Sequence, residues 1–182
     1  MLRFPSLKTK LLTQLAVLAA LCVLLSLLVI PIGNIHITLE SLPITIAALP
    51  FGPLPAAAVA LVSELLMQIL SYGFTATTLL WLIPPVVRAL IIGFAAVSFK
   101  RRGQFLEDKP LWCYASCIVA AIATTLLNTG VIWLDSVIYG YFSVAYVFGS
   151  ALVRFAVGIL AAAVTATLSI PLVKLLRAQR IA

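Results

Sequence analysis

Charged side chains are what this chain lacks most. They make up 9% of its 182 residues, against about 25% in soluble domains. Apolar residues reach 64%, well above the usual range of about 45–50%. A soluble chain of this length folds around one core and covers it with a polar exterior, and too few charged residues exist here to build that surface. Lipid is therefore the solvent for much of the protein. Acid is scarcer than base, five Asp and Glu against twelve Lys and Arg. Cysteine occurs three times, at Cys22, Cys113 and Cys117, always in apolar sequence. Cys113 and Cys117 share a helix face at i, i+4, so these residues read as buried small hydrophobes and neither a metal site nor a disulfide framework is expected.

Catalytic signatures are missing as well. The chain contains no H-E-x-x-H, no G-x-S-x-G, no P-loop and no paired-aspartate motif of a head-group transferase. It is not expected to be an enzyme by itself or to carry a cofactor, and any energy for active transport must come from other subunits or from an ion gradient. Its two halves share no Gly/Pro interruption at matching positions, which leaves an inverted-repeat transporter unsupported.

What is present is a series of apolar runs. A bilayer core about 30 Å thick takes roughly twenty apolar residues per helix. The reading is an all-α integral membrane protein, one membrane domain over residues 1–182, with six transmembrane helices over about 10–30, 39–51, 55–70, 77–99, 111–134 and 145–176. The first run follows a basic start but is about twenty residues long without a clean small-residue cleavage site, so it is read as a retained helix rather than a signal peptide. Pro84 and Pro85 should kink the fourth helix. "PIGNIHITLE", with Pro31 and Gly33, is an exposed loop of partly extended character. Arg3, Lys8, Lys10, Lys100, Arg101, Arg102, Lys109, Lys174, Arg177 and Arg180 all fall on the side of the termini, and the opposite loops hold no Lys or Arg. By the positive-inside rule both termini and the "KRRG" loop are cytoplasmic. The net charge of +7 then reflects topology, and no nucleic-acid partner is expected.

Several polar residues remain inside the runs. Arg88 lies in the fourth and Arg154 in the sixth, and Glu64 and Gln68 share a face of the third at i, i+4. A mid-bilayer charge costs on the order of 2.5–3.5 kcal/mol on insertion scales, so such residues face the bundle interior with a partner or a task. One role is an internal polar brace of Glu64, Gln68 and Arg88, with Glu64 bridged to Arg154 or Arg88. The other is a ligand cavity open to the outside and faced by an arginine, for which Arg154 is favoured because a guanidinium donates two parallel hydrogen bonds to carboxylate or phosphate. Asn128 falls in the same layer and needs partners that a polar ligand can supply.

In the first outer loop Asn34, His36, Thr38 and Glu40 alternate, so an extended strand puts them on one face as the underside of a lid. A lone histidine is also a common solvated loop residue. Tyr72, Thr75, Thr77, Thr78, Trp81, Trp133, Tyr139 and Tyr141 gather at the outer interface, where most aromatics form a belt. Thr78 and Trp81 are candidate ligand contacts, Trp81 by stacking on a ring.

Two stretches carry a resemblance to a known family. "AVLAA" gives Ala16-x-x-x-Ala20 in the first helix, and "LPITIAALPFGPLPAAAVALVSELL" has a P-x-x-x-A core leading to F-G-P, small residues and a polar position. Together with the span count, the basic loop after the fourth helix and the polar first outer loop, this resembles the substrate-binding S components of energy-coupling factor (ECF) vitamin transporters, over nearly the whole chain. The resemblance implies a bacterial cytoplasmic-membrane protein that takes a vitamin or related nutrient from outside. It also implies partnership with a scaffold membrane subunit, docked through Ala16 and Ala20, and with two ATP-binding cassette ATPases. It puts the pocket in the outer halves of the last three helices under the first outer loop, which by position favours Trp81, Asn128 and Arg154, with Asn34 and His36 in the lid. Two departures stand out. Pro55-Ala56 occupies a turn that is glycine-rich in many members, and "SYGFTATTLLW" replaces the aromatic-Pro-Gly-Phe-Thr run of folate-like members. The other readings open to the sequence are an ion-coupled carrier working alone and a membrane assembly subunit that transports nothing.

Overall fold

The computed structural model describes residues 6–28, 30–32 and 35–181, and the apolar runs within them are helices. In chain order these are α1 (Ser6–Leu27), α2 (Ser41–Phe51), α3 (Pro53–Tyr72), α4 (Thr78–Trp81), α5 (Ile83–Arg101), α6 (Pro110–Ile138), α7 (Val144–Phe148) and α8 (Ala151–Ile181). Between α1 and α2, β1 (Ile30–Ile32) and β2 (Ile35–Ile37) form an antiparallel hairpin in which Pro31 faces His36. Five segments are long and apolar enough to cross a membrane, with α4–α5 and α7–α8 counted as one each, and α2 is a shorter sixth.

The shortness of α2 is tolerated because protein surrounds it. Its eleven residues cover about 16 Å, too little to span. It packs against α1, α3, α5 and α8, and Ile44, Ala47 and Ala48 are almost wholly buried. Irregular backbone at membrane depth is stable only in such a setting, where protein rather than lipid meets its ends.

The F-G-P motif makes the turn that sends α3 back along α2. Gly52 has φ +87°, a conformation that a side chain penalises. Pro53 follows as the first residue of α3, where its missing amide hydrogen and fixed φ are harmless. Gly93 of α5 packs on the same corner, and a Cβ there would lie 2.4 Å from the Pro53 Cα. One backbone corner thus sets how closely α5 approaches α3.

Two expected helices are interrupted. The kink foreseen at Pro84-Pro85 is a break at Leu82, after which α5 takes both prolines into its first turn, where no hydrogen bond is lost. The last expected helix divides at Gly149-Ser150 into α7 and α8. A Cβ on Gly149 would lie 2.3 Å from the Ala145 carbonyl oxygen, so the tight junction requires glycine.

Polar ties fix the two ends of the bundle. Thr77 donates to Asp135 at 2.6 Å, and Tyr141 donates to the other oxygen of the same carboxylate. That bond raises the pKa of the Tyr141 phenol, since losing the proton would set two negative oxygens together. At the far end Arg177 bonds Glu107 at 3.1 Å and Asp108 at 3.0 Å and lies 4.2 Å over the Phe105 ring. This clasp binds the end of α8 to the loop between α5 and α6.

Gly93→Ala is expected to destabilise the protein by about 1–3 kcal/mol, the range for overpacking against backbone. Gly130→Ala, where an added Cβ meets nothing within 4 Å, is expected to be neutral or slightly stabilising. Thermal unfolding in detergent measures both, and equal melting temperatures for Gly93→Ala and the parent protein would refute the role given to the corner.

Candidate functional site

A cavity of about 700 Å³ lies among α2, α5, α6 and α8, with Thr38 and Glu40 of the hairpin-to-α2 connection and Tyr146 of α7 also on its wall. Its size falls within the range of about 300–1,000 Å³ typical of small-molecule sites. Arg154 and Asn128 both line it, so two helices that pack side by side bring these sequence candidates together. Thr124 and Thr125 stand one turn deeper on α6, and Gly158 on α8 lets the two helices close, since a Cβ there would be 3.1 Å from the Thr125 hydroxyl.

Arg154 is held at one edge and free at another. One Nη donates to the carbonyl of Val147 at the end of α7, which orients the guanidinium toward a backbone carbonyl at a helix C-terminus, a favourable place for a cation. Its Nε is buried and has no partner among the described residues. A buried unsatisfied donor on a charged group is costly, and the cavity beside it is where an acceptor fits.

Arg88 also lines the cavity, but it faces Glu40 at 3.9 Å. The sequence reading bridged Glu64 to Arg154 or Arg88. Among the described residues neither pair forms, and Glu64 instead accepts from Gln68 at 2.8 Å. The reason is local to α2. Glu40 is the residue immediately before this helix, where the positive end of the helix dipole favours a carboxylate. There its carboxylate shares the Ser26 hydroxyl of α1, at 3.1 Å, with the Cys22 carbonyl at 2.8 Å, while its own carbonyl accepts from Cys22 at 3.2 Å. Glu40 therefore leaves the strand face on which the alternation had set it. With Arg88 opposed by Glu40, Arg154 is the guanidinium of the cavity without a carboxylate partner among the described residues.

Hydroxyls supply the remaining polar wall. Ser41 and Thr165 meet at 2.8 Å across α2 and α8, and Thr124 and Thr125 donate to carbonyls one turn back at 2.7 and 2.9 Å. With their protons engaged, Thr124 and Thr125 present lone pairs to the cavity and can accept from a ligand.

Thr78 and Trp81 are not on the cavity wall. Thr78 is buried at the start of α4, where it accepts from the Thr75 amide at 2.8 Å. The α4 turn carries Trp81 to a half-buried position elsewhere. The aromatic on the wall is Tyr146, which also packs edge-on against Tyr141 at 5.5 Å between ring centroids. Sequence reasoning missed it because it sits in a short helix that reads as the start of a long one. Asn34 lies outside the described residues, and His36 is described for its backbone alone, in β2. Ala16 and Ala20 lie on an exposed side of α1, away from the bundle core.

Comparison with known proteins adds the following. A family model described as "ECF-type riboflavin transporter, S component" matches residues 6–178. Among solved structures, ThiT from Listeria monocytogenes superposes with a TM-score of 0.66 at 17% identity, covering 92% of this chain and 94% of that one. An S component for biotin from an ECF-type ABC transporter gives 0.63 at 21% identity, with 95% of each chain covered. The S component of a bacterial ECF transporter gives 0.53 at 17% identity, with 96% of each covered. No curated sequence matches the chain. At these identities the structural matches speak for the fold.

Proposed function

The chain belongs to the family of ECF-type riboflavin transporter S components, and from that membership we propose that it is the substrate-binding subunit of an ATP-driven vitamin transporter in a bacterial cytoplasmic membrane. The observation that carries the reading is the unsatisfied Arg154 Nε beside a cavity of vitamin size. Both termini are on the cytoplasmic side in this proposal. It is supported by the basic residues Lys10, Lys100 and Arg177, which come from the start of α1 and the ends of α5 and α8 and line one cavity at the end opposite Asn128 and Arg154.

The solute is a vitamin-sized, acceptor-rich ring compound, and riboflavin is the first to test. Ring carbonyls and ring nitrogens suit donation from Arg154 and Asn128. The hydroxyls of a polyol chain suit Thr124 and Thr125, whose lone pairs face them. Tyr146 offers a ring at the edge of the site, and the hairpin carrying His36 is the lid. The chain hydrolyses no nucleotide in this scheme. Two ATP-binding cassette ATPases and a scaffold membrane subunit do the work, the scaffold docking on Ala16 and Ala20, where small residues permit close helix approach.

Mass spectrometry of the small molecule retained by the purified protein is the primary test. Recovery of riboflavin supports the whole reading, recovery of another vitamin overturns the flavin assignment alone, and no retained or bindable vitamin overturns the reading as a binder. Arg154→Ala is expected to weaken affinity about 10- to 100-fold, the value of a charged hydrogen bond of about 1.5–3 kcal/mol. Arg154→Lys should recover part of it. Tyr146→Ala is expected to weaken binding more than Trp81→Ala does, as read by ligand fluorescence titration, and the reverse order would return the stacking role to Trp81. Ala16→Trp with Ala20→Trp is expected to abolish co-purification with the scaffold subunit while leaving solute affinity within about twofold, because those side chains lie on the exposed side of α1.

A further inference from the structure

A second cavity, of about 620 Å³, lies at the opposite end of the bundle among α1, α2, α5, α8 and the loop after α5. Its walls and its rim differ in chemistry. Val17, Leu18, Leu49 and Leu176 make an apolar lining, whereas Lys10 of α1 and Lys100 of α5 stand exposed at its edge. Arg177 also borders it, but its charge is taken up by Glu107 and Asp108. Lys10 and Lys100 have no such partner among the described residues.

From this we propose that the cavity holds one anionic phospholipid, its phosphate between Lys10 and Lys100 and the upper part of an acyl chain against Val17, Leu18 and Leu176. Three observations select that occupant. The two lysines come from helices far apart in sequence and border one cavity, which suits a single phosphate rather than a diffuse surface field. The walls behind them are mostly apolar, and the one carboxylate among the described lining residues, Glu107, is paired with Arg177, so a free phosphate would leave most of the cavity without a partner, whereas a lipid fills both regions. Val17 and Leu176 are themselves exposed and so lie next to the bilayer from which the chain would enter. A bound lipid would link the start of α1 to the end of α5, two elements that the ion-pair clasp at Arg177 does not join. The proposal is independent of which solute occupies the first cavity.

Native mass spectrometry of the full-length protein, incubated in detergent with equal amounts of phosphatidylglycerol and phosphatidylcholine, tests this directly. One retained phosphatidylglycerol per protein is expected, in clear excess over phosphatidylcholine. Lys10→Gln with Lys100→Gln should reduce that retention about tenfold, on the order expected from two cations near a lipid phosphate. Arg101→Gln with Arg102→Gln removes the same charge from the same end, at exposed residues that do not line the cavity, and should change retention less than twofold. Equal losses from both double variants would mean a diffuse basic surface and overturn the site. Equal retention of the two lipids would overturn the headgroup role. Full displacement of the lipid by inorganic phosphate would overturn the acyl-chain contact. Loss of scaffold co-purification in the Lys10/Lys100 variant with lipid retention unchanged would assign the cavity to a protein partner instead.

Discussion

A polar group inside a bilayer has no water to turn to, and the structure is organised by how each such group finds a partner. The hydroxyls solve the problem locally. Ser26, Thr45, Ser63, Thr124, Thr125 and Thr129 each donate to a carbonyl one turn back on the same side of the chain, at 2.7–2.9 Å, so a helix can carry hydroxyls on its inner face at little cost. Among the charges Glu64 finds Gln68 on its own helix, and others pair across elements. Glu40 and Arg88 meet across α2 and α5, and Glu107 and Asp108 hold Arg177 across the far end. What remains after this pairing is Arg154, oriented by a carbonyl yet incompletely satisfied, with Asn128 facing the same space. The candidate site is the place where the protein leaves polar groups for something else to complete.

Much of this was legible in the sequence because membrane solvation writes it in large letters. The apolar runs gave the helices to within a few residues, and the depth of Asn128 and Arg154 along their runs was enough to bring them into one layer. Partner identity was not legible. Counting depth along helices paired Glu64 with an arginine, but the contact that forms depends on where α2 starts, and that start depends on a hairpin that raises Glu40 to the end of a helix dipole. Trp81 lies off the cavity wall for a related reason. Pro84-Pro85 signalled a disturbance, yet the break falls before them at Leu82, and the resulting turn decides which way the indole faces. Tyr146 gave no signal of its own, since the glycine junction that separates α7 from α8 has no proline to mark it.

The short α2 links fold to site. A full-length span in its place would reach the outer surface and fill the volume that Thr38, Glu40 and Ser41 now border. By stopping at Ser41, the helix leaves room for a loop at membrane depth, and its burial among α1, α3, α5 and α8 keeps that loop away from lipid. Glu40 then ties the loop to α1 through Ser26 and to α5 through Arg88, so the same residue that precedes α2 also balances one of the two arginines of the cavity.

The two cavities lie on common helix faces. On α5 the residues Arg88 and Ile92 face the first and Ala96 and Lys100 the second, each one turn beyond the last, and on α2 the same progression runs from Ser41 and Thr45 to Leu49. Between the two levels the packing is tight and built from small residues, with Ala166 and Ser169 of α8 fully buried. A solute moving straight along these faces would have to separate helices whose closeness is fixed by the Gly52–Pro53–Gly93 corner. Moving the whole bundle as one body leaves those contacts in place. The packing therefore favours a bundle that stays intact over one in which a channel opens through it.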